Sequence, residues 1–248
     1  EGNRVLLITS SRRTGIAYPD RGGAYQCFDH VGSIKNMAKW SATCAYAERI
    51  PELLRQALRK CYHGRPGVVH LDVPENLING PCPETPILAP AQYRRTLPQP
   101  PPAEQVARAA ELLIQAKLPV IHAGSGIIHA QAYDDLRQVA EALHAPVTTS
   151  WAGRGVLDER HPLAWPMVHI EANNAVRNQA DVCLCLGSDM GETDWWGKAP
   201  YWAKRDNQKF IQVDIDEERL GRNRPGDLAV LADVGVFLKM LLAHLKSA

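Results

Sequence analysis

Short apolar runs alternating with amphipathic stretches fill the second half of this chain, and they limit its fold more than any other feature. The runs at 119–123, 146–149, 182–186, 210–214 and 228–231 are four or five residues long. Apolar runs of that length, without strict polar alternation, suit strands buried on both faces. Helix-like segments accompany them at 103–116, 131–144, 171–179 and 234–246. Alternating strands and helices imply a parallel sheet covered by helices on both sides. Right-handed crossovers make that an α/β, doubly wound, Rossmann-like domain.

The chain changes character before this domain. Between residues 81 and 102 it carries Pro81, Pro83, Pro86, Pro90, Pro98, Pro100, Pro101 and Pro102. Proline at this density continues neither helix nor central strand, and it predicts a stiff linker over 81–102. Residues 103–248 then form the Rossmann-like domain, and residues 1–80 a separate part. That first part shows a strand at 5–9, a helix at 51–62 and a strand at 68–74. Pro51 suits the first helical turn, and Leu53, Leu54, Ala57, Leu58 and Cys61 make one apolar stripe. Two strands, one helix and a long irregular segment close a core poorly, so residues 1–80 read as half of an α/β domain.

Composition excludes several classes. The 248 residues carry a net charge of +1, with basic residues dispersed, which argues against a nucleic-acid partner. No apolar stretch reaches the ~18 residues of a membrane span, so no membrane role is expected. The start, Glu1-Gly2-Asn3-Arg4, has neither an initiator Met nor a secretory signal, which suggests a piece of a longer protein. None of the six cysteines forms a C-x-x-C pair. Cys183 and Cys185 fall on one side of an apolar strand and read as core thiols of a reduced, cytoplasmic protein.

Candidate binding residues gather after the strands, at the edge where open α/β sheets take ligands. Gly124-Ser125-Gly126 follows the first strand of the domain, and such a loop lets backbone N–H groups approach a phosphate. His129 replaces the third glycine of a full G-x-G-x-x-G, so a tight turn without a ligand stays open. Asp214 ends a strand and Asp233 follows the last one, and both could accept hydrogen bonds from a ribose or an adenine amine. Asp233 could also cap the last helix. Ser150-Trp151 and Gly153-Arg154-Gly155 follow the second strand, with Arg154 either facing a diphosphate or standing as an exposed loop arginine. Trp195, Trp196 and Trp202 lie in a loop that could cover an acyl or flavin site or meet another subunit. His169, Glu171 and Asn173 read as structural. No Ser-His-Asp constellation and no H-x-x-x-H metal pair is present.

Taken in order, these segments resemble thiamine-diphosphate-dependent enzymes of the acetolactate-synthase type. Residues 64–74, G-R-P-G-V-V-H-L-D-V-P, are similar to the G-R-P-G-P-V-x-x-D-x-P segment that ends their pyrimidine-binding domain. A proline-rich linker and a central domain follow in that family. Its motifs have counterparts at Pro119 to Gly126, Ala145 to Ser150, Gly153 to Gly155, Asp181 to Gly187, Val213 to Asn223 and Ala232 to Val234. The resemblance covers nearly the whole chain. It implies the second half of a pyrimidine-binding domain joined to a central domain.

The resemblance also implies thiamine diphosphate and Mg²⁺ as cofactors. Thiamine diphosphate acts on 2-oxo acids through a thiazolium ylid. It implies FAD or ADP in the central domain, at Gly124, Ser125, Gly126, Ser150, Trp151, Arg154, Asp214, Ile215 and Asp233. Gln26 and Lys39 would stand at the active-site edge. The substrate would be a 2-oxo acid or an acyl-CoA, and the intact enzyme a homodimer or homotetramer. Asp189 stands where acetolactate synthases have the first arginine of R-F-D-D-R, which weighs against FAD. The family's activating glutamate would precede Glu1, and its Mg²⁺-diphosphate motif would follow Ala248. The isolated chain is therefore expected to be inactive. A non-catalytic module binding FAD, ADP or CoA, and an NAD-dependent dehydrogenase, are the alternative readings.

Overall fold

Val68–Asp72 is the most buried strand of its neighbourhood, and a small sheet forms around it in the computed structural model, which describes residues 2–17, 25–82 and 84–247. The chain divides into two units, Glu1–Leu97 and Pro98–Ala248. The division falls at the end of the proline-rich stretch, and most of that stretch counts with unit 1. Pro83 lies outside the described residues.

Unit 1 holds β1 (Val5–Thr9), β2 (Trp40–Thr43) and β3 (Val68–Asp72) in the order β1-β3-β2, all parallel. Helix α1 (Ile50–Tyr62) has proline in its first turn and buries Leu53, Ala57 and Cys61. Leu53 packs with Leu71, Val73 and Cys44, while Ala57 and Cys61 meet Val69. Strand β2 is absent from the sequence expectation, because Trp40-Ser41-Ala42-Thr43 shows no sustained apolar run. Pairing with β3, Trp40 opposite Val69, makes it a strand. Only β3 is well buried: Val5, Leu7 and Ile8 of β1 stay 42, 38 and 56% exposed.

Unit 2 holds six parallel strands in the order β6-β5-β4-β7-β8-β9. They are β4 (Pro119–Ala123), β5 (Val147–Thr149), β6 (Ala164–Trp165), β7 (Val182–Leu186), β8 (Lys209–Asp214) and β9 (Leu228–Leu231). The helices are α2 (Ala103–Ile114), α3 (Gly126–Ala130), α4 (Tyr133–Leu143), α5 (Ile170–Gln179) and α6 (Val234–Ser247). This is the doubly wound sheet expected from the sequence. Strand order reverses between β4 and β7, so the ligand crevice of such a sheet would open there.

The two faces of this sheet differ. On one, Ile121, Leu184, Ile211 and Val213 pack against α2, α4 and α6 in one apolar core. On the other, Val120, Cys183, Cys185 and Phe210 pack with Met190 and Trp202. Cys183 and Cys185 are the core thiols expected, and burial pushes Cys183 up to about 12. Two elements depart from expectation. The helix predicted to begin at 131 is preceded by the short α3, and left-handed Gln131 (φ 53°) separates it from α4. The two-residue β6 is too short to leave a periodic signal.

Candidate functional site

The C-terminal edge of unit 2 is where the candidate residues meet. Gly124, Ser125 and Gly126 link β4 to α3, and Gly187 follows β7 across the switch point. The two loops touch backbone to backbone. A Cβ on Gly126 would lie 2.6 Å from Gly187 Cα, and one on Gly124 would lie 2.2 Å from Gly187 O. The N–H of Gly124 donates to Leu186 O (2.9 Å) and that of Gly126 to Gly187 O (3.1 Å). After β5, Ser150 N–H donates to Ala123 O, and Ser150 Oγ accepts from Gly153 N–H (3.1 Å). A Cβ on Gly153 would meet Ala123 O at 2.3 Å.

The side chains at this edge are committed as well. Arg154 forms a two-point pair with Glu159, Nε to Oε1 at 2.6 Å and Nη2 to Oε2 at 3.2 Å. Trp151 is 52% exposed. Asp214 is buried, and its Oδ1 accepts from Asp216 N–H (2.9 Å). Ile215 follows it, partly buried. Asp233 Oδ1 accepts from the N–H groups of Gly235 (3.0 Å) and Val236 (3.1 Å), capping α6. Asp189 accepts from Arg219 Nη1 through both oxygens (3.2 and 3.1 Å), and its carbonyl accepts from Asn223 Nδ2.

Behind this edge lies a group the sequence reading missed. His122 of β4, Arg177 of α5 and Asp194 are each at least 98% buried. His122 Nε2 is 3.4 Å from Asp194 Oδ1 without forming a hydrogen bond, and His122 Nδ1 is 3.4 Å from Arg177 Nη2. The neutral Nε2–H tautomer suits both contacts. Arg177 lies over the Trp202 ring (4.5 Å), and Trp202 Nε1 donates to Asp194 O (2.8 Å). Ser188 Oγ donates to Asp194 Oδ2 (3.0 Å). Burial holds His122 below its usual range, with Asp194 pulling partway back. Burial alone would raise Asp194, but His122, Arg177 and Ser188 outweigh it and hold the carboxyl below the ordinary range. The result is a carboxylate and a guanidinium buried together beside a neutral imidazole.

The network pins the loop after β7. Arg224 Nη1 donates to the carbonyls of Gly197 and Ala203, and Trp195 stacks on Tyr201 at 4.4 Å. Of the three tryptophans expected in a covering loop, Trp202 is fully buried and Trp196 is 43% exposed. Asn173, read as structural, donates to the carbonyls of Pro166 and His169. An apolar-strand histidine and a helix arginine carry no joint signal in sequence, because loop 187–203 alone brings Asp194 to them.

Unit 1 has its own polar pocket, about 230 Å³, at the C-terminal edge of its sheet. Gln26 lines it with Ser11, His30, Thr43 and Asp72. Asp72 accepts from Thr9 Oγ1 (2.8 Å) and Ser11 Oγ (2.7 Å). Lys39 stands at the opposite end of the sheet, just before β2, where its Nζ donates to the carbonyls of His63 and Arg65 (2.7 Å to the latter). The structure does not bring Gln26 and Lys39 together. Among the described residues, no group of three His, Cys, Asp or Glu side chains could hold a metal, and no helix is long and apolar enough to cross a membrane.

Residues 106–241 match the family model for the central domain of thiamine pyrophosphate enzymes. An acetolactate synthase of Mycobacterium bovis is 30% identical over 98% of this chain and 39% of its own length. A sulfoacetaldehyde acetyltransferase of Rhodobacter capsulatus is 32% identical over 90% of this chain and 38% of its own. The crystal structure of a benzoylformate decarboxylase from Polynucleobacter necessarius superposes with a TM-score of 0.77 at 20% identity, over 98% of this chain and 44% of that one. That likeness concerns the fold. The chain spans about two fifths of the length of the relatives it matches.

Proposed function

The chain belongs to the thiamine pyrophosphate enzymes, and on that premise we propose that it is the central part of a thiamine-diphosphate-dependent carboligase or decarboxylase acting on 2-oxo acids, of the acetolactate-synthase type. The observation carrying this reading is the continuous match to an acetolactate synthase over 98% of the chain. The ordered segments from Gly64 to Asp233 support it. Acetyl transfer, named for one relative, keeps an acyl-transfer variant within the same class.

Within this reading the chain contributes a scaffold. Unit 1 offers a polar pocket around Asp72, with Gln26 on its wall. Among the described residues no group of three His, Cys, Asp or Glu side chains is placed to hold a metal. The Mg²⁺ ligands and the glutamate that activates thiamine would then lie in other parts of the protein. The intact enzyme is expected to be a homodimer or homotetramer working in the cytoplasm. FAD or ADP would have to be held at Gly124–Gly126, Asp214 and Asp233, where the Gly124 and Gly126 N–H groups and one oxygen of each carboxylate already have partners.

The test is release of CO₂ from a panel of 2-oxo acids, pyruvate first, by the intact gene product with thiamine diphosphate and Mg²⁺. Cofactor-dependent turnover of at least one acid supports the reading, and full cofactor occupancy without any turnover refutes it. The 248-residue chain assayed alone should stay silent.

A further inference from the structure

We propose that the nucleotide edge of unit 2 is closed: the glycine N–H groups and strand-end carboxylates there already bond to the chain's own backbone, and the edge holds neither FAD nor ADP. The inference rests on the fold of unit 2 and not on which 2-oxo acid the protein takes.

Three independent observations carry it. The first is the accounting of donors. A phosphate at a glycine loop is held by backbone N–H groups that point out of the loop. Here the N–H groups of Gly124 and Gly126 donate to Leu186 O and Gly187 O, and that of Gly153 to Ser150. Each would have to break a hydrogen bond before it could take up a ligand. Each carboxylate expected to hold ribose likewise has Oδ1 engaged, that of Asp214 with Asp216 N–H and that of Asp233 with the first turn of α6.

The second is why glycine stands at these positions. Glycine in such a loop is needed wherever another group comes too close for a Cβ. At Gly124, Gly126 and Gly153 the close group is the protein's own backbone, at 2.2 to 2.6 Å from where the Cβ would be. The loops after β4 and β7 thus fill the floor of the switch-point crevice with each other. The glycines are explained without a ligand.

The third is charge. Asp189 places a carboxylate at the start of the loop after β7, and it engages Arg219 with both oxygens. A diphosphate brought to this edge would meet that carboxylate and would compete for the same guanidinium. Arg154, the other cation at the edge, is held by Glu159. The large cavity of unit 2, about 730 Å³, does not rescue the nucleotide reading. It is lined by Gln99 to Pro102, Gln105, Glu217, Leu220, Ala229 and Leu231, with none of the residues expected to touch a nucleotide.

The experiment uses the intact purified protein. Its visible spectrum and the mass spectrum of the supernatant after denaturation report any retained flavin or ADP. Thermal melts with added FAD and ADP, on protein already saturated with thiamine diphosphate and Mg²⁺, report binding afterwards. Ligand at roughly 100 times its Kd raises the melting temperature of a folded domain by several degrees. The expected result is no stoichiometric nucleotide and no shift with either. Co-purified flavin or ADP, or a saturable shift with either, overturns the proposal. Asp189→Ala separates charge from loop closure: it should still bind no FAD, and FAD binding gained in that variant would overturn the role given to the committed backbone donors. Thiamine-dependent turnover is measured on the same sample, so failure of the catalytic reading and failure of this one are seen separately.

Discussion

Asp194→Asn is the perturbation that most directly probes the energetics of unit 2. Asn keeps the shape of the side chain and an oxygen for Ser188 Oγ, so little packing is lost. What goes is the charge facing Arg177, whose guanidinium is fully buried. A hydrogen bond to a charged acceptor is worth ~1.5–3 kcal/mol against ~1 for a neutral one, so the Ser188 contact alone loses about 1 kcal/mol. Arg177 and Asp194 do not touch as an ion pair, but their charges act on each other across the buried cluster, and stranding one buried charge by breaking a pair in contact costs ~3–5 kcal/mol. Because Asn stays polar, the lower end applies, about 3 kcal/mol, equivalent to a fall in melting temperature of roughly 6–12 °C for a unit of this size. Urea unfolding followed by tryptophan fluorescence reads it well. Five of the six tryptophans, Trp151, Trp165, Trp195, Trp196 and Trp202, lie in unit 2. The double variant Arg177→Met/Asp194→Leu removes both charges and should be markedly less damaging than the two single losses added together. An Asp194→Asn protein within about 1 kcal/mol of the parent, or strict additivity in the double variant, would refute the claim that these charges hold each other in the core.

Two further outcomes follow from the same geometry. His122 and His70 are both held below their usual range, by burial first, with Asp194 and Asp72 opposing. The unfolded chain takes up their protons near pH ~6.5 and the folded chain only at lower pH, so stability is full above that pH and falls as pH drops below it. For His122 the loss between pH 6.5 and 5.0 is bounded at about 2 kcal/mol, and Asp194 adds a second loss only below about pH 4. Urea melts at pH 7.5 and pH 5.0 check this, and equal midpoints would contradict it. Asp233→Ala removes the cap of α6 and should cost about 1 kcal/mol, whereas Asp233→Asn should retain most of it. Circular dichroism melts of the pair decide between a capping and a purely ligand-directed carboxylate, since the latter would leave the free protein's stability unchanged.

How much of this was legible beforehand differs from residue to residue. Val182–Leu186 and Pro119–Ala123 were readable as central strands because apolar side chains on both faces are a local property of the sequence. The same holds for the stripe of α1 and the core placement of Cys183 and Cys185. Strand β2 was not readable, because what makes Trp40–Thr43 a strand is its ladder to β3, whose partner residues lie 29 positions away. The break at Gln131 was hidden for a related reason: a left-handed turn at a non-glycine residue follows from how α3 and α4 pack, and not from local preference.

The candidate site shows the same division most sharply. Sequence alone determined that Gly124, Gly126, Asp214 and Asp233 would stand at one edge of a parallel sheet, since each ends or closely follows a strand, and that the ordered motifs resemble one enzyme family. Only the tertiary structure decided what those residues do with their hydrogen bonds. Gly187, 61 to 63 residues further along the chain, accepts from Gly126 and fills the space beside Gly124, and Asp233 turns back onto its own helix. Likewise His122, Arg177 and Asp194 are unremarkable in sequence and become one buried charge cluster once the chain has folded. Strand position is written in the local pattern of side chains. Occupancy of donors and compensation of buried charge depend on distances between segments far apart in the chain, and those exist only after folding.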